Sequence, residues 1–245
     1  MNIVPQEYWD AYYKNFEFDI APSNDEVRKW IERFIKKGKG KCLEIGCFPG
    51  RYLAVFGELG YELNGIDLTP RVEKDLPNWL KNRFYNIGEF HKSNFENYES
   101  KLKFDIVSSF GFIEHFNNWE DILIKHSSLV NKNGYLVVSV PNFKGTIQRL
   151  LHFILDRQNY KRHNIKAMDI NKWRKLIASL GFDIIYCGAF GIFDFWAEEQ
   201  QRNALLTFLL KCVIRLTPTF NKRLRNDELY SPYYGIIAHK IDNLP

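Results

Sequence analysis

The chain alternates between two apolar periods. "VRKWIERFI" carries Val27, Trp30, Ile31 and Ile35 at helical spacing, and "KCLEIG" follows as a short apolar run of the kind buried on both faces of a sheet. The same alternation continues. Residues 50–60 predict a helix closed by Gly60, "YELNGID" a second strand, and residues 71–84 a helix interrupted by Pro77. "FHKSN" is a weak third strand, "KFDIVSSF" a fourth, "NWEDILIKHSSLV" a helix, and "NGYLVVSVP" a fifth strand entered by the turn at Asn133-Gly134. Strand and helix in this order predict an α/β fold with a mostly parallel sheet covered by helices on both faces.

After Pro141 the rhythm changes. Residues 145–156 predict an amphipathic helix, with Ile147, Leu150, Leu151 and Ile154 on one side and Gln148, His152 and Asp156 on another. A basic loop, "RQNYKRHNIK", separates it from the helix "INKWRKLIASLGF" and the strand "FDIIYCGAF". Residues 197–216 predict a long apolar helix. In its 204–216 part Thr207, Lys211 and Arg215 form one narrow polar stripe, and "YYGIIAHKI" is a last strand. Thirteen residues do not span a bilayer, so this helix is expected in the core, in a dimer interface, or flat on a membrane beside a basic surface.

Composition adds three constraints. With 45% apolar residues in 245, the chain can build one large core, and 16% aromatics can line a hydrophobic pocket. Cys42, Cys47, Cys187 and Cys212 form no C-x-x-C pair and no zinc-spaced cluster with histidine, so they read as reduced, buried thiols. The first residues lack the basic and apolar blocks of a signal peptide, and a cytoplasmic protein is expected. The +5 net charge is uneven. Residues from 141 onward hold 16 basic and 9 acidic side chains, so the second half is the one expected to meet an anionic partner.

In an open parallel sheet, ligands bind beyond the carboxyl ends of the strands. Gly46 and Gly50 follow the first strand, Asp67 ends the second, and "SSFGFIEH" follows the fourth. Glycines let the backbone approach a ligand, and the next helix turns free N–H groups toward it. A carboxylate at Asp67 can accept from the two hydroxyls of a ribose. Either feature alone also fits an ordinary turn or a helix cap. In register and in order they indicate a nucleoside site.

"LEIGCFPG", "GIDLTP", "HKSNFEN", "FDIVSSFGFIEHF" and "GYLVVSVPN" together resemble the class I S-adenosylmethionine-dependent methyltransferases, and "INKWRKLIASLGFDII" resembles the helix and strand that follow in them. The resemblance covers about residues 25–190 plus the final strand. It implies a Rossmann-like fold with a seven-stranded, mostly parallel sheet whose last strand is antiparallel. It also implies a single domain over 1–245, with an N-terminal helical segment 1–38 and substrate-side insertions at about 143–168 and 195–230.

The resemblance further implies a cofactor loop of Glu44, Gly46, Cys47 and Gly50, with Glu44 toward the methionine ammonium. Asp67 would hold the ribose, Leu68 would pack on the adenine, Asn94 would accept from the adenine amino group with Phe95 available to stack, and Phe110 and Gly111 would line the methionine end. Glu44 also suits a cationic sulfonium better than a pyrophosphate. Phe48 departs from the family's usual small residue and must point away from the cofactor or cover it.

For chemistry, the Glu114-His115 pair lies after strand four, with His115 as candidate general base, and His163 lies in the basic insertion that could fold over the site. "IEH" and the insertion also resemble the ubiquinone-biosynthesis O-methyltransferases. The further glutamate of those enzymes is replaced by Gly111, so no metal is expected. The expected activity is methyl transfer to a small-molecule, glycan or lipid-linked acceptor, at oxygen, with S-adenosylhomocysteine as product. The alternatives are an RNA methyltransferase or a non-catalytic S-adenosylmethionine-binding protein. The Lys-Asp-Lys-Glu tetrad and N-P-P-[YF] signatures are missing, so nucleic acid is not the expected partner. Peripheral membrane contact through 204–216, at the inner face of the membrane, is the remaining expectation, and the oligomeric state is left open.

Overall fold

A computed structural model describes residues 3–198, 202–221 and 226–241, the side chains of 218–221 excepted. The helices α1 (Gln6–Tyr13) and α2 (Glu26–Phe34) precede strand β1 (Lys41–Ile45). Asp25 starts α2 by accepting the N–H groups of Val27 and Arg28, both at 2.9 Å. The alternating part runs α3 (Leu53–Glu58), β2 (Glu62–Asp67), α4 (Asp75–Lys81), β3 (Ile87–Lys92), β4 (Phe104–Phe110), α5 (Trp119–Leu129) and β5 (Val130–Pro141). The rest is α6 (Thr146–Leu155), α7 (Arg157–Lys161), α8 (Ile170–Ser179), β6 (Phe182–Phe190), α9 (Ala204–Asn221) and β7 (Tyr233–Lys240).

The seven strands form one sheet in the order β3-β2-β1-β4-β5-β7-β6. All pairs from β3 to β5 are parallel, and β7 is antiparallel to both its neighbours. Successive strand residues feed opposite layers, as a doubly covered sheet requires. Leu43, Val107, Leu136 and Ile236 pack with α5 and α8, while Cys42, Ile106, Val137 and Ile237 pack with α2, α3 and α4.

The element bounds shift where local chemistry decides them. The helix expected over 50–60 is Leu53–Glu58. The helix expected over 71–84 begins as a 3-10 turn at Pro70–Val72 and restarts as α4, with Pro77 in its first turn, where a missing N–H costs no helical bond. The third strand lies earlier, at Ile87–Lys92, and the fifth begins at Val130, with Asn133 at φ +58° inside it. The basic loop after 156 is partly helical, as α7. The long apolar helix starts at Ala204 rather than 197; Ala197 and Glu198 are outside it, and 199–201 fall outside the described residues. Of the four thiols, Cys42 and Cys47 are buried, and Cys187 and Cys212 are only half-buried. No helix among the described residues is long and apolar enough to cross a membrane.

Helix α6 turns its polar side inward. Gln148, His152 and Asp156 are fully buried, while Ile147, Leu150, Phe153 and Ile154 are exposed. Polar residues tolerate burial with partners, and each of the three has at least one here, although Gln148 Oε1 and His152 Nε2 meet none among the described residues. Gln148 Nε2 donates to the carbonyls of Asp194 and Tyr230, both at 2.8 Å. Asp156 takes Asn159 Nδ2 at 2.8 Å, and lies 3.3 Å from His152 Nδ1 and 3.4 Å from Arg202 Nη2.

This inversion can be measured by urea unfolding. Gln148→Leu strands two carbonyls and should cost about 2 kcal/mol or more, whereas Ile147→Gln should change stability by about 0.5 kcal/mol or less. The reverse ranking would mean that the apolar side faces inward.

Candidate active site

The carboxyl ends of β1, β2 and β4 open into one cavity of about 440 Å³. Its wall contains every residue that the sequence singled out: Glu44, Gly46, Cys47, Gly50, Asp67, Leu68, Asn94, Phe95, Phe110, Gly111, Glu114, His115 and His163.

The turn after β1 is tied to β2, since the amides of Gly46 and Cys47 both donate to Ile66 O, at 2.8 and 3.2 Å. Gly46 sits at φ +68°, and a Cβ there would lie 2.5 Å from the Phe112 ring; Gly50 sits at φ +88°. Both positions therefore require glycine. Glu44, 4% exposed, points one carboxylate oxygen, Oε2, at no partner. Burial, and then the charge of Asp67, raise its pKa well above the usual value.

Asp67 accepts the N–H of Phe48 on one oxygen at 3.1 Å and that of Thr69 on the other at 2.9 Å. Burial outweighs these bonds and lifts its pKa to about 6. Two of the four carboxylate acceptor positions are thus used, and two remain for a diol. An unpartnered buried carboxylate on β1 and a half-satisfied one on β2 fit the charge and hydroxyls of S-adenosylmethionine: Glu44 can face the ammonium and sulfonium, Asp67 the ribose.

Two adenine-side expectations are narrowed. Asn94 Oδ1 already caps the next turn by accepting Glu96 N–H at 2.9 Å, so one of its lone pairs is spent. The Phe95 ring is 3% exposed and lies edge-on to Phe112 and His126, with centroids at 6.0 and 4.8 Å, so it serves the core more than as a free stacking platform.

Phe48 acts as cover. Its ring meets Tyr13 at 5.1 Å and Phe18 at 5.5 Å, and the Arg71 guanidinium lies 5.0 Å from both the Phe18 and Phe48 rings. Arg71 Nη1 also donates to Tyr13 O at 2.8 Å. The bulky residue in the glycine turn fastens the N-terminal segment across the cavity. The N-terminal segment was expected to help build the substrate pocket, but its residues were not named: Trp9, Tyr12, Tyr13 and Phe16 line the same cavity. The aromatic density of "EYWDAYYKNFEF" was the available signal.

At the other end lie Glu114, His115 and His163, each offering one ligand atom, all within 4.8 Å of one another. His115 Nδ1 is 3.0 Å from Arg162 O and His163 Nδ1 is 2.8 Å from Asn159 O. Carbonyls only accept, so both Nδ1 atoms carry the proton and both Nε2 atoms keep a lone pair. Burial lowers the His115 pKa to about 4 and takes His163 well below the ordinary value. Burial raises the Glu114 pKa to about 8, and neither of its oxygens has a geometric hydrogen-bond partner among the described residues. Near neutrality the group is therefore one protonated acid beside two neutral imidazoles. With Glu114 ionised, the three could hold a divalent cation, a convergence hidden by the separation of His163 from the pair along the chain.

Around this end stand Trp9, 5.1 Å from the His115 ring, Phe143, 4.7 Å from the His163 ring, and Trp196 stacked on Tyr233 at 5.4 Å. Arg162 lies over the Tyr8 ring and is paired with Glu198, which also accepts from the Tyr8 hydroxyl at 3.2 Å. Helix α1, α7 and the segment before α9 thus meet over the cavity.

Residues 21–186 match the family model Methyltransf_23, a methyltransferase domain. A search of curated proteins found no match. A putative methyltransferase from Bacillus halodurans superposes with a TM-score of 0.60 at 17% identity, covering 88% of this chain and 98% of that one. A SAM-dependent methyltransferase from Archaeoglobus fulgidus gives 0.58 at 22% identity, covering 95% and 100%. Magnesium protoporphyrin IX methyltransferase from Synechocystis, solved with bound S-adenosylhomocysteine, gives 0.54 at 12%, covering 96% and 93%. With the motif turn, both carboxylates and the strand order in place, the chain belongs to this methyltransferase-domain family and is a class I S-adenosylmethionine-dependent methyltransferase.

Proposed function

We propose that the enzyme methylates a hydroxyl oxygen of a small-molecule, glycan or lipid-linked acceptor, with the Glu114–His115–His163 group handling the acceptor's proton. The observation that carries this reading is the fixed tautomer of two neutral histidines, His115 buried and His163 half-buried, inside the cavity that also contains Glu44 and Asp67.

Bound S-adenosylmethionine supplies an electrophilic methyl on a cationic sulfur. The protein's part is placement and proton removal. Asp67 would hold the ribose and Glu44 would face the cationic end, with Gly111 and His115 lining the same cavity. His115 Nε2 accepts the hydroxyl proton, with the ring held by Arg162 O. His163 Nε2, a neutral imidazole nitrogen with a free lone pair, lies within reach to take that proton onward, and the protonated Glu114 beside them adds no negative charge to the group. The aromatic wall of Trp9, Phe143, Trp196 and Tyr233 excludes water and suits an acceptor with a flat or apolar part.

Burial of Glu114 favours the proton-handling reading over metal binding. Removing its proton inside the cavity is costly, and Gly111 adds no further carboxylate.

Calorimetry with S-adenosylhomocysteine should show about micromolar binding or tighter for the wild type. Asp67→Ala should lose it, and unchanged affinity would refute the ribose assignment. His115→Ala should leave that binding intact and reduce kcat about a hundredfold or more; an unaltered kcat would remove His115 from the chemistry. Because the His115 pKa is lowered to about 4, the neutral base persists in moderate acid. The acid limb of kcat/KM should therefore fall well below pH 6.5, and a limb at 6.5 would point to an exposed histidine instead.

Glu114 gives a stability test. Its folded pKa, about 8, lies above that of an unfolded glutamate, so its protonated form favours the fold at low pH and this advantage is lost as pH rises through 8. Glu114→Gln, which cannot ionise, should melt higher than wild type above pH 8, and the gap should close toward pH 4–5. A gap independent of pH would contradict a buried, protonated acid.

A further inference from the structure

We infer that the outward faces of α6 and α9 form a docking surface for an anionic phospholipid bilayer. The two helices pack together through Leu151 and Leu155 of α6 and Leu206, Leu210 and Val213 of α9. That contact uses one side of each helix. On the other sides, Leu150 is 57% exposed, Leu205 65% and Phe208 63%, joined by Phe153, Ile154 and Leu216. Adjacent helices with this much exposed aliphatic and aromatic surface mark an interaction site.

Charge selects the occupant. Arg149 and Arg157 on and beside α6, and Lys211 and Arg215 on α9, are exposed. Arg157 lies 5.1 Å from the Phe153 ring centroid, a cation held directly beside an apolar side chain. Neither helix contains an acidic residue, and Asp156, at the end of α6, is buried. A second copy seated symmetrically on this face would set these cations against themselves. A bilayer with anionic headgroups answers both parts: the apolar side chains enter the acyl boundary and the long cations reach the phosphates. Since neither helix can span, the contact is in-plane.

The surface also lies where an acceptor would enter. Asn159 and Arg162, just after α6, and Trp196 and Glu198, just before α9, line the cavity's acceptor end. Docking would hold that end against the bilayer, so that an acceptor with an apolar tail could reach it without crossing water. This last step rests on the function proposed above; docking itself does not.

The test is co-sedimentation of the full chain, with S-adenosylhomocysteine present, on phosphatidylcholine vesicles with and without roughly a third phosphatidylglycerol. Binding should be clear on the anionic vesicles and weak on the neutral ones. Leu150→Glu with Phe208→Glu should weaken it about tenfold or more, with S-adenosylhomocysteine affinity unchanged as proof of fold. Lys211→Gln with Arg215→Gln, which leaves the apolar face in place, should remove the preference for anionic vesicles. No binding to anionic vesicles, or equal binding by both double variants, would overturn the inference. So would a dimer in size-exclusion chromatography that the Leu150/Phe208 variant dissolves while vesicle binding is absent throughout.

Discussion

Glu44 is the constraint around which the site is organised. It lies near the end of β1, between β2 and β4, with an oxygen that meets no donor. A buried carboxylate without a partner disfavours its own ionised form, and Asp67 nearby sharpens the penalty. Holding this carboxylate beside Asp67, which has only main-chain donors, costs stability unless something cationic arrives between them. On the proposed reading a sulfonium and an ammonium would meet that need, and a pyrophosphate would worsen it. The glycine turn beside it serves the same end by leaving the backbone close and the space open.

The second dependence is between the cofactor turn and the acceptor side. Phe48 would be a poor choice if the turn only had to approach a ligand. Packed against Tyr13 and Phe18 and topped by Arg71, it couples the turn to the N-terminal segment. That segment reaches His115 twice, through the Trp9 ring and through the 2.7 Å bond from Ile3 N to His115 O. One bulky residue thus links the glycine turn after β1 to the segment that covers His115. The turn itself takes no side chain at Gly46, because a Cβ there would strike Phe112.

What was legible in the sequence was whatever is encoded locally. Strand, turn and carboxylate lie within a few residues of each other in "LEIGCFPG" and "GIDLTP", and their chemistry follows from adjacency. The third strand was displaced because "NIGEFHK" alternates weakly and leaves its residues only half-buried. Which side of α6 faces inward was not legible, for a different reason. Periodicity shows that a helix has two faces, but not which one has distant partners, and the carbonyls of Asp194 and Tyr230 that receive Gln148 are far along the chain. The meeting of His163 with His115 is of the same kind, as is the closure of Glu198 onto Arg162 and Tyr8.

The inversion of α6 and the proton-handling group have one physical cause. His152 lies with its ring centroid 4.1 Å from that of Phe143, and Phe143 packs in turn on His163, whose ring lies 4.8 Å from that of His115. The polar face of α6 is therefore the layer behind the acceptor pocket. Asp156 gathers His152, Asn159 and Arg202, and Asn159 is the residue whose carbonyl fixes the tautomer of His163. A helix that must present Gln148, His152 and Asp156 inward at i, i+4 and i+8 has only its opposite side left for the apolar residues that the composition supplies. Those residues cannot turn inward without dismantling the support of His163. Their exposure is thus the counterpart of the polar support behind His163, and among the described residues nothing covers them.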